Sequence, residues 1–398
     1  MNICYVYSGD LKINNGGKTH TVELAQGFAN LNHRVFVLCK DYDMDDFHHE
    51  FLHPIKIKQI NLKGLNEFSF IVNCIFWIIL HKREHDIHIV YERMLWLRSL
   101  LIVKYLCNIH LVLEINHTPK NFEGLFIKNE IYGISNFFLV RISRWLYNMY
   151  IYFLDNTYDY FVVTTLSFSP FTKKTKTKYI FFGANIDIFK PIDQMTCRHE
   201  LKIDINKKYL LFLGTFYPWQ GLDIIIEAFY SLSLKYDDVD LLLVGDSEHG
   251  HVGSESTKRG IIKQISELKI SNRVSSIGRV DFNTASKYIN AVDICIVGQK
   301  LDRSGYTPLK LLEYMACGKP VIAPNISGIR EIVNQCNCGL LFEPDNPQDL
   351  CNKTSRLIIE NSLINQMGIN GKKCIDNKYN WQEVSKKVLS IFENISKK

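Results

Sequence analysis

The stretch Ser304-Gly305-Tyr306-Thr307-Pro308-Leu309-Lys310-Leu311-Leu312-Glu313-Tyr314-Met315-Ala316-Cys317-Gly318-Lys319-Pro320-Val321-Ile322-Ala323 reads as a turn, a helix and a buried strand in succession. Thr307 has the character of an N-cap and Pro308 of a first helical residue. Leu309, Leu312, Met315 and Ala316 recur at helical spacing and predict the buried stripe. Gly318 and Pro320 stop the helix, and residues 321–323 begin a short strand. Lys310 then falls in the first turn, where the helix dipole disfavours a cation unless an anion sits on the free N–H groups. Glu313 follows at i+3 on the same face. A cation beside an anion-binding helix end, with a carboxylate able to accept from sugar hydroxyls, is the pattern of a nucleotide-sugar site. An exposed Lys–Glu helix pair has the same spacing.

Working outward, 398 residues suffice for two domains with separate cores. Apolar content of 46% and charged content of 22% are those of an ordinary globular protein. The net charge of +6 is scattered rather than clustered, which argues against nucleic acid as a partner. Eleven cysteines stand at irregular spacing, mostly in apolar runs, and Cys336 and Cys338 have no second pair that would suggest zinc. Reduced, buried thiols in a cytoplasmic protein are the expectation. Neither a signal peptide nor a membrane-spanning run is read in the chain.

From the N-terminus, residues 2–7 predict a strand, Gly16-Gly17-Lys18-Thr19-His20 a glycine-rich loop, 21–31 a helix and 34–39 a second strand. This order opens a doubly wound sheet, with the two glycines allowing close approach of a ligand and His20 beside them. Further strands are predicted near 55–61, 87–91, 111–115, 160–164 and 179–182, with helices at 68–81, 97–107 and 137–154. The last carries Arg141, Arg144 and Trp145, and suits either a packed core or a membrane surface. A polar linker follows residue 191. A second alternating series then runs through strands at 208–213, 240–244, 273–277, 294–297, 320–323 and 340–342, and a final amphipathic helix covers 381–395.

Several of these segments resemble the family 4 glycosyltransferases, over nearly the whole length. Gly16-Gly17 through His20 is similar to the acceptor-side glycine loop of that family. Val90-Tyr91-Glu92-Arg93, residues 111–116 and Phe182-Gly183-Ala184-Asn185-Ile186-Asp187 match further family segments. So do Phe212-Leu213-Gly214 with Pro218-Trp219-Gln220-Gly221, Leu243-Val244-Gly245-Asp246, Gly278-Arg279-Val280 and residues 308–316. The resemblance implies the GT-B fold, an α/β arrangement of two Rossmann-like, doubly wound parallel-sheet domains facing a central cleft. Residues 1–191 would bind the acceptor and 192–380 the nucleotide sugar, with the helix of 381–398 crossing back towards the first domain.

Roles carry over position by position as implications of that resemblance. Glu313 matches the second glutamate of an E-x7-E motif and would hold the ribose. Gly278 and Val280 belong to the loop that meets the base; Gly305, Tyr306 and Thr307 to the turn facing diphosphate and sugar; Gly214 and Gln220 to the donor loop. Gly16, Gly17 and His20 lie on the acceptor side, and Asn116 or His117 would approach the reacting carbon, with His117-Thr118 favouring His117. Three positions depart from the pattern: Gly305 replaces the first glutamate, and Thr215 and Gln220 stand where an arginine and a lysine usually clamp the diphosphate. Lys310 is the substitute in this stretch. The implied activity is sugar transfer from a nucleoside-diphosphate sugar to a hydroxyl of a saccharide or lipid-linked saccharide. It would be retaining, without metal or cofactor, in surface glycan biosynthesis (capsule, O-antigen or exopolysaccharide), at the inner face of the membrane. A non-catalytic GT-B subunit that binds a partner enzyme or glycan and a nucleotide-sugar epimerase are the competing readings.

Overall fold

The computed structural model describes residues 1–13, 16–60, 65–93, 101–116, 149, 152, 154, 156–164, 176–248, 250–301 and 308–397. Two compact units divide the chain, one formed by residues 1–182 with 381–398 and the other by 183–380. The division thus falls at Gly183, ahead of the 191/192 boundary expected from the linker composition.

In the first unit, β1 (Asn2–Tyr7), β2 (Arg34–Cys39), β3 (Leu52–Lys56), β4 (Ile89–Arg93), β5 (His110–Ile115), β6 (Tyr160–Val163) and β7 (Thr177–Tyr179) form a sheet of order β3-β2-β1-β4-β5-β6-β7. Each neighbouring pair is parallel, with Cys4 opposite both Phe36 and Val90. Such strands are buried on both faces and read as continuous apolar runs, which is why the sequence shows them so plainly. Cys4, Val6 and Val90 join the core beneath the Asn66–His81 and Leu101–Cys107 helices. Tyr5 and Tyr91 point to the other face, as the two-residue period requires, where Tyr91 meets Phe28 and Phe392. Strand order reverses between β1 and β4, and at this switch point β1 is followed by a helix that begins at Gly16 rather than at residue 21, so Gly16, Gly17 and His20 are helical and not the expected loop.

The second unit repeats the plan with β8 (Lys208–Leu213), β9 (Val239–Val244), β10 (Val274–Gly278), β11 (Ile294–Ile296), β12 (Val321–Pro324) and β13 (Gly339–Phe342), in the order β10-β9-β8-β11-β12-β13 and all parallel. Its switch point lies between β8 and β11.

Several expectations need correction. The polar stretch after residue 191 contains the Gln194–Leu201 helix, started by Asp193, whose carboxylate accepts from the Thr196 N–H at 2.8 Å. The Pro347–Ile359 helix likewise starts on an asparagine cap, Asn346 accepting from Asp349 N–H at 3.0 Å. Capping chemistry rather than apolar periodicity marks both. Strand β3 lies earlier than 55–61 and tolerates Pro54 because it is the sheet edge. Pro308 is the N-cap of the Leu309–Ala316 helix, not its first residue, and Thr307 lies outside the described residues. So does most of the predicted 137–154 helix, including Arg141, Arg144 and Trp145. Among the described residues no helix is long and apolar enough to cross a membrane. Nine cysteines are buried thiols, as expected, but Cys336 and Cys374 form a disulfide between the Arg330–Cys336 and Asn361–Cys374 helices. Their separation of 38 residues offers no motif from which sequence spacing could find the pair.

The Trp381–Ser396 helix belongs to the first unit because it packs along the Gly16–Asn30 helix. A Cβ at Gly27 would lie 2.0 Å from Ser385 Oγ and 3.3 Å from the Trp381 carbonyl. We expect Gly27→Val to lower stability by about 1–3 kcal/mol through overpacking, read by chemical denaturation. An unchanged midpoint would show that the two helices do not meet this closely.

Candidate functional site

The first unit places a charged cluster against the first turn of the Gly16–Asn30 helix. Glu114 on β5 is buried, and its carboxylate accepts from Tyr91 Oη at 2.8 Å and from His20 Nε2 at 3.0 Å. Arg93 on β4 stands 3.3 Å from the same carboxylate and donates to the Gly17 carbonyl at 3.0 Å and to Thr21 Oγ1 at 3.1 Å. Burial alone would raise the Glu114 carboxyl, but His20, Arg93 and the hydrogen bonds hold it at about 2. Burial and the Arg93 charge hold His20 below the ordinary histidine range, against the pull of Glu114. Arg93 is therefore the permanent cation of the cluster, while neutral His20 donates through Nε2. Its Nδ1 has no hydrogen-bond partner among the described residues. His20, expected on the acceptor side, is instead turned inward between Phe182 and Trp381. What the cluster does is tie the start of the Gly16–Asn30 helix to β4 and β5.

Asn116, at the end of β5, is buried and accepts from Thr164 Oγ1 at 2.9 Å. His117 lies outside the described residues, as do Gly305, Tyr306 and Thr307.

The second unit gathers its expected residues at the C-terminal ends of β8, β9 and β10, which are followed or closed by Gly214, Gly245 and Gly278. Lys310, in the first turn of the Leu309–Ala316 helix, is only 7% exposed. This excludes the exposed Lys–Glu pair. Its ammonium donates to Gln220 Oε1 at 2.9 Å and lies 4.0 Å from the centroid of the Phe212 ring, a cation–π contact. Gly214 closes the group: its φ is +140°, and a Cβ there would lie 2.6 Å from Lys310 Nζ. Burial lowers the Lys310 ammonium to about 7, with the Glu313 charge acting in the opposite sense. Glu313 is itself 8% exposed, one turn along the same helix. At Gly278, φ is +87° and an added Cβ would meet nothing within 4 Å, so the backbone borders open space. Val280 is half-buried beyond it.

Gln220 is set by the Pro218–Gln220 turn, where Tyr217 and Trp219 stack at 4.3 Å. Gly221 follows at φ +65°, and a Cβ would collide with the Gly298 carbonyl at 1.8 Å, so the turn cannot accept another residue there. Among the described residues no group of three His, Cys, Asp or Glu side chains could hold a metal ion.

Glu114, Arg93 and Tyr91 were not among the expected site residues, although the segments carrying them stood out. Charged residues inside otherwise apolar strand runs are the signal, since a buried charge requires a partner.

The family described as Glycosyl transferases group 1 matches residues 193–374, and Glycosyltransferase Family 4 matches residues 14–167. An uncharacterized glycosyltransferase of Methanocaldococcus jannaschii is 31% identical over 189 residues, which is 47% of this chain and 48% of that protein. The chain spans about half the length of the curated relatives it matches. Among solved structures, sucrose-phosphate synthase of Thermosynechococcus elongatus aligns with a TM-score of 0.76 at 18% identity, covering 100% of this chain and 99% of the other. Anabaena HepE in complex with UDP aligns with a TM-score of 0.76 at 16% identity, covering 99% and 100%.

Removing one member of a buried charge pair is costly, so Arg93→Met should destabilise the chain by about 3–5 kcal/mol. Glu114 is ionised in the fold down to about pH 2, so its contribution is complete above the ordinary carboxylate range and is lost as pH falls towards 2. Glu114→Gln should therefore flatten the acid limb of stability against pH; an unaltered limb would show that Glu114 is not held ionised. The chain is a GT-B-fold glycosyltransferase relative, related to family 4 and group 1.

Proposed function

We propose that the chain transfers a sugar from a nucleoside-diphosphate sugar to a hydroxyl of a saccharide or lipid-linked saccharide, with retention of configuration. The observation that carries this reading is Lys310, a buried ammonium in the first turn of the Leu309–Ala316 helix, beside the strand-end glycines. Breaking the bond between anomeric carbon and phosphate leaves positive charge on the sugar and negative charge on the diphosphate. Stabilising that leaving group is the main electrostatic task, and Lys310 with the N–H groups of its helix supplies the positive charge without a metal. Glu313 accepts from ribose hydroxyls, and the open backbone at Gly278 with Val280 receives the base.

Gly305, Tyr306 and Thr307 complete the diphosphate turn in this reading, and His117, or Asn116, approaches the reacting carbon. Gly16 and Gly17 border the acceptor. Arg93, Glu114 and His20 hold that helix start in place as positioning residues. Surface glycan synthesis at the inner face of a membrane is the setting the acceptor class suggests. HepE was solved with UDP, so UDP-sugars are the first donors to test.

Ligand-observed NMR with UDP-, GDP- and other nucleotide sugars tests the donor site. Lys310→Met should weaken donor binding about 10- to 100-fold, the loss of one charge-assisted hydrogen bond, and Glu313→Ala should weaken nucleoside contact. Because Lys310 titrates near 7 in the free protein, and the diphosphate favours its charged form, affinity should fall as pH rises through about 7. Lys310→Met should flatten that profile. Failure of every nucleotide sugar to bind, or equal binding by both variants, would overturn the donor reading in favour of a non-catalytic subunit.

A further inference from the structure

At the opposite ends of the second unit's strands lies a cavity of about 1080 Å³. One wall is built from the residues that open or precede strands: Lys208 at the start of β8, Asp293 before β11 and Lys319 before β12. The other wall is a face of the Asn361–Cys374 helix, on which Asn361, Asn365 and Lys372 recur at helical spacing, with Lys373 at the rim. The two walls are fixed against each other at a glycine contact, since a Cβ on Gly368 would lie 2.1 Å from the Gly318 carbonyl.

The charges lining this space do not balance. Asp293 is taken up by Arg198 at 2.9 Å and by the Tyr209 N–H at 2.7 Å. Asp376 pairs with Lys372. Among the described residues Lys208 reaches only the Ile358 carbonyl, at 3.3 Å. Lys319 and Lys373 have no side-chain hydrogen bond or ion pair among the described residues. Lys319 is the telling member: it is half-buried in the turn before Pro320, and burial draws its ammonium below the ordinary lysine range, against the pull of the Asp293 charge. A partly desolvated cation with no direct ion pair among the described residues is costly to keep. Three lysines converging on one cavity, with the neighbouring carboxylates already engaged, are a complement to an anion.

We propose that this cavity binds a small phosphate-bearing anion, held by Lys319, Lys373 and Lys208, with the asparagine amides and apolar walls receiving its remainder. The site is separate from Lys310. The Leu309–Ala316 helix, about 12 Å long at 1.5 Å per residue, carries Lys310 in its first turn and ends just before the Cys317-Gly318-Lys319 turn that lines the cavity. The inference does not depend on the donor reading.

The test is calorimetric titration of the full chain with pyrophosphate, in the parent and in Lys310→Met. The cavity should retain pyrophosphate in Lys310→Met, and adding Lys373→Glu or Lys319→Met to that background should weaken the remaining binding at least tenfold. Lys373 is exposed, so Lys373→Glu leaves the fold intact and decides the matter if Lys319→Met does not fold. Complete loss of pyrophosphate binding in Lys310→Met would overturn the proposal. So would residual binding indifferent to Lys373→Glu, or no binding in the parent. Failure of the donor reading leaves a different mark, absence of nucleotide-sugar binding with the Lys373-dependent signal still present.

Discussion

A parallel sheet needs a crossover between each strand and the next, and the crossovers cover both of its faces. In both units of this chain the inner strands are therefore largely apolar, and most polar chemistry collects at the strand ends and on the edge strands. The C-terminal ends receive the loops that lead into helix N-termini, with their free N–H groups. Gly16 and Gly17 after β1, and Gly214, Gly245 and Gly278 after or at the ends of β8, β9 and β10, occupy those places. The proposed second anion site uses the other ends, where only the starts of strands and the C-terminal turn of a helix are available. Side-chain lysines must there do what backbone N–H groups do at the first site.

Buried charges violate this rule, and the two units treat them in opposite ways. In the first, Glu114 meets Arg93, Tyr91 and His20, so its charge is matched by a permanent cation inside the protein. Such a cluster balances its charge within the protein and holds the start of the Gly16–Asn30 helix through the Gly17 carbonyl. In the second, Lys310 is matched among the described residues only by an amide oxygen, a ring face and the neighbouring Glu313 charge, and it gives up much of its basicity. A group left in that condition gains more from an incoming anion than one already paired. The first cluster is matched within the protein, whereas the second would gain from an anion, as the proposed donor site requires.

The sheets were legible because burial on both faces writes strands as unbroken apolar runs, and the Gly16–Asn30, Leu222–Ser233 and Trp381–Ser396 helices because one apolar stripe recurs along each. The Gln194–Leu201 and Asn361–Cys374 helices were not, since polar residues dominate them and their placement depends on caps and on tertiary contact. Lys310 and Glu313 were legible as a pair with a shared face, but not as buried. Nothing in their spacing separates a solvated pair from a desolvated one, because that depends on Phe212 and Gly214, which lie almost a hundred residues earlier. For His20 the place in the sequence was legible but its inward orientation was not. Its position next to two glycines suggested a ligand, whereas the fold turned it towards Glu114 on β5.

The departures at Thr215 and Gln220 take on a different meaning once side chains are placed. Position by position, the chain has lost a cation at 220, and a linear comparison counts that as a weakened site. In space, Gln220 Oε1 accepts from Lys310 Nζ at 2.9 Å, so the two side chains reach the same point from different elements. A lysine at 220 would bring a second ammonium to within contact of the first, in a setting too dry to screen the repulsion. The site accommodates one cation there, supplied by either the loop or the helix. Having it on the helix, the chain needs an acceptor on the loop to hold it, and glutamine is the neutral residue of similar length that provides one. The absence at 220 and the presence at 310 are one feature, and Gly214, by leaving room for the ammonium, is its third part.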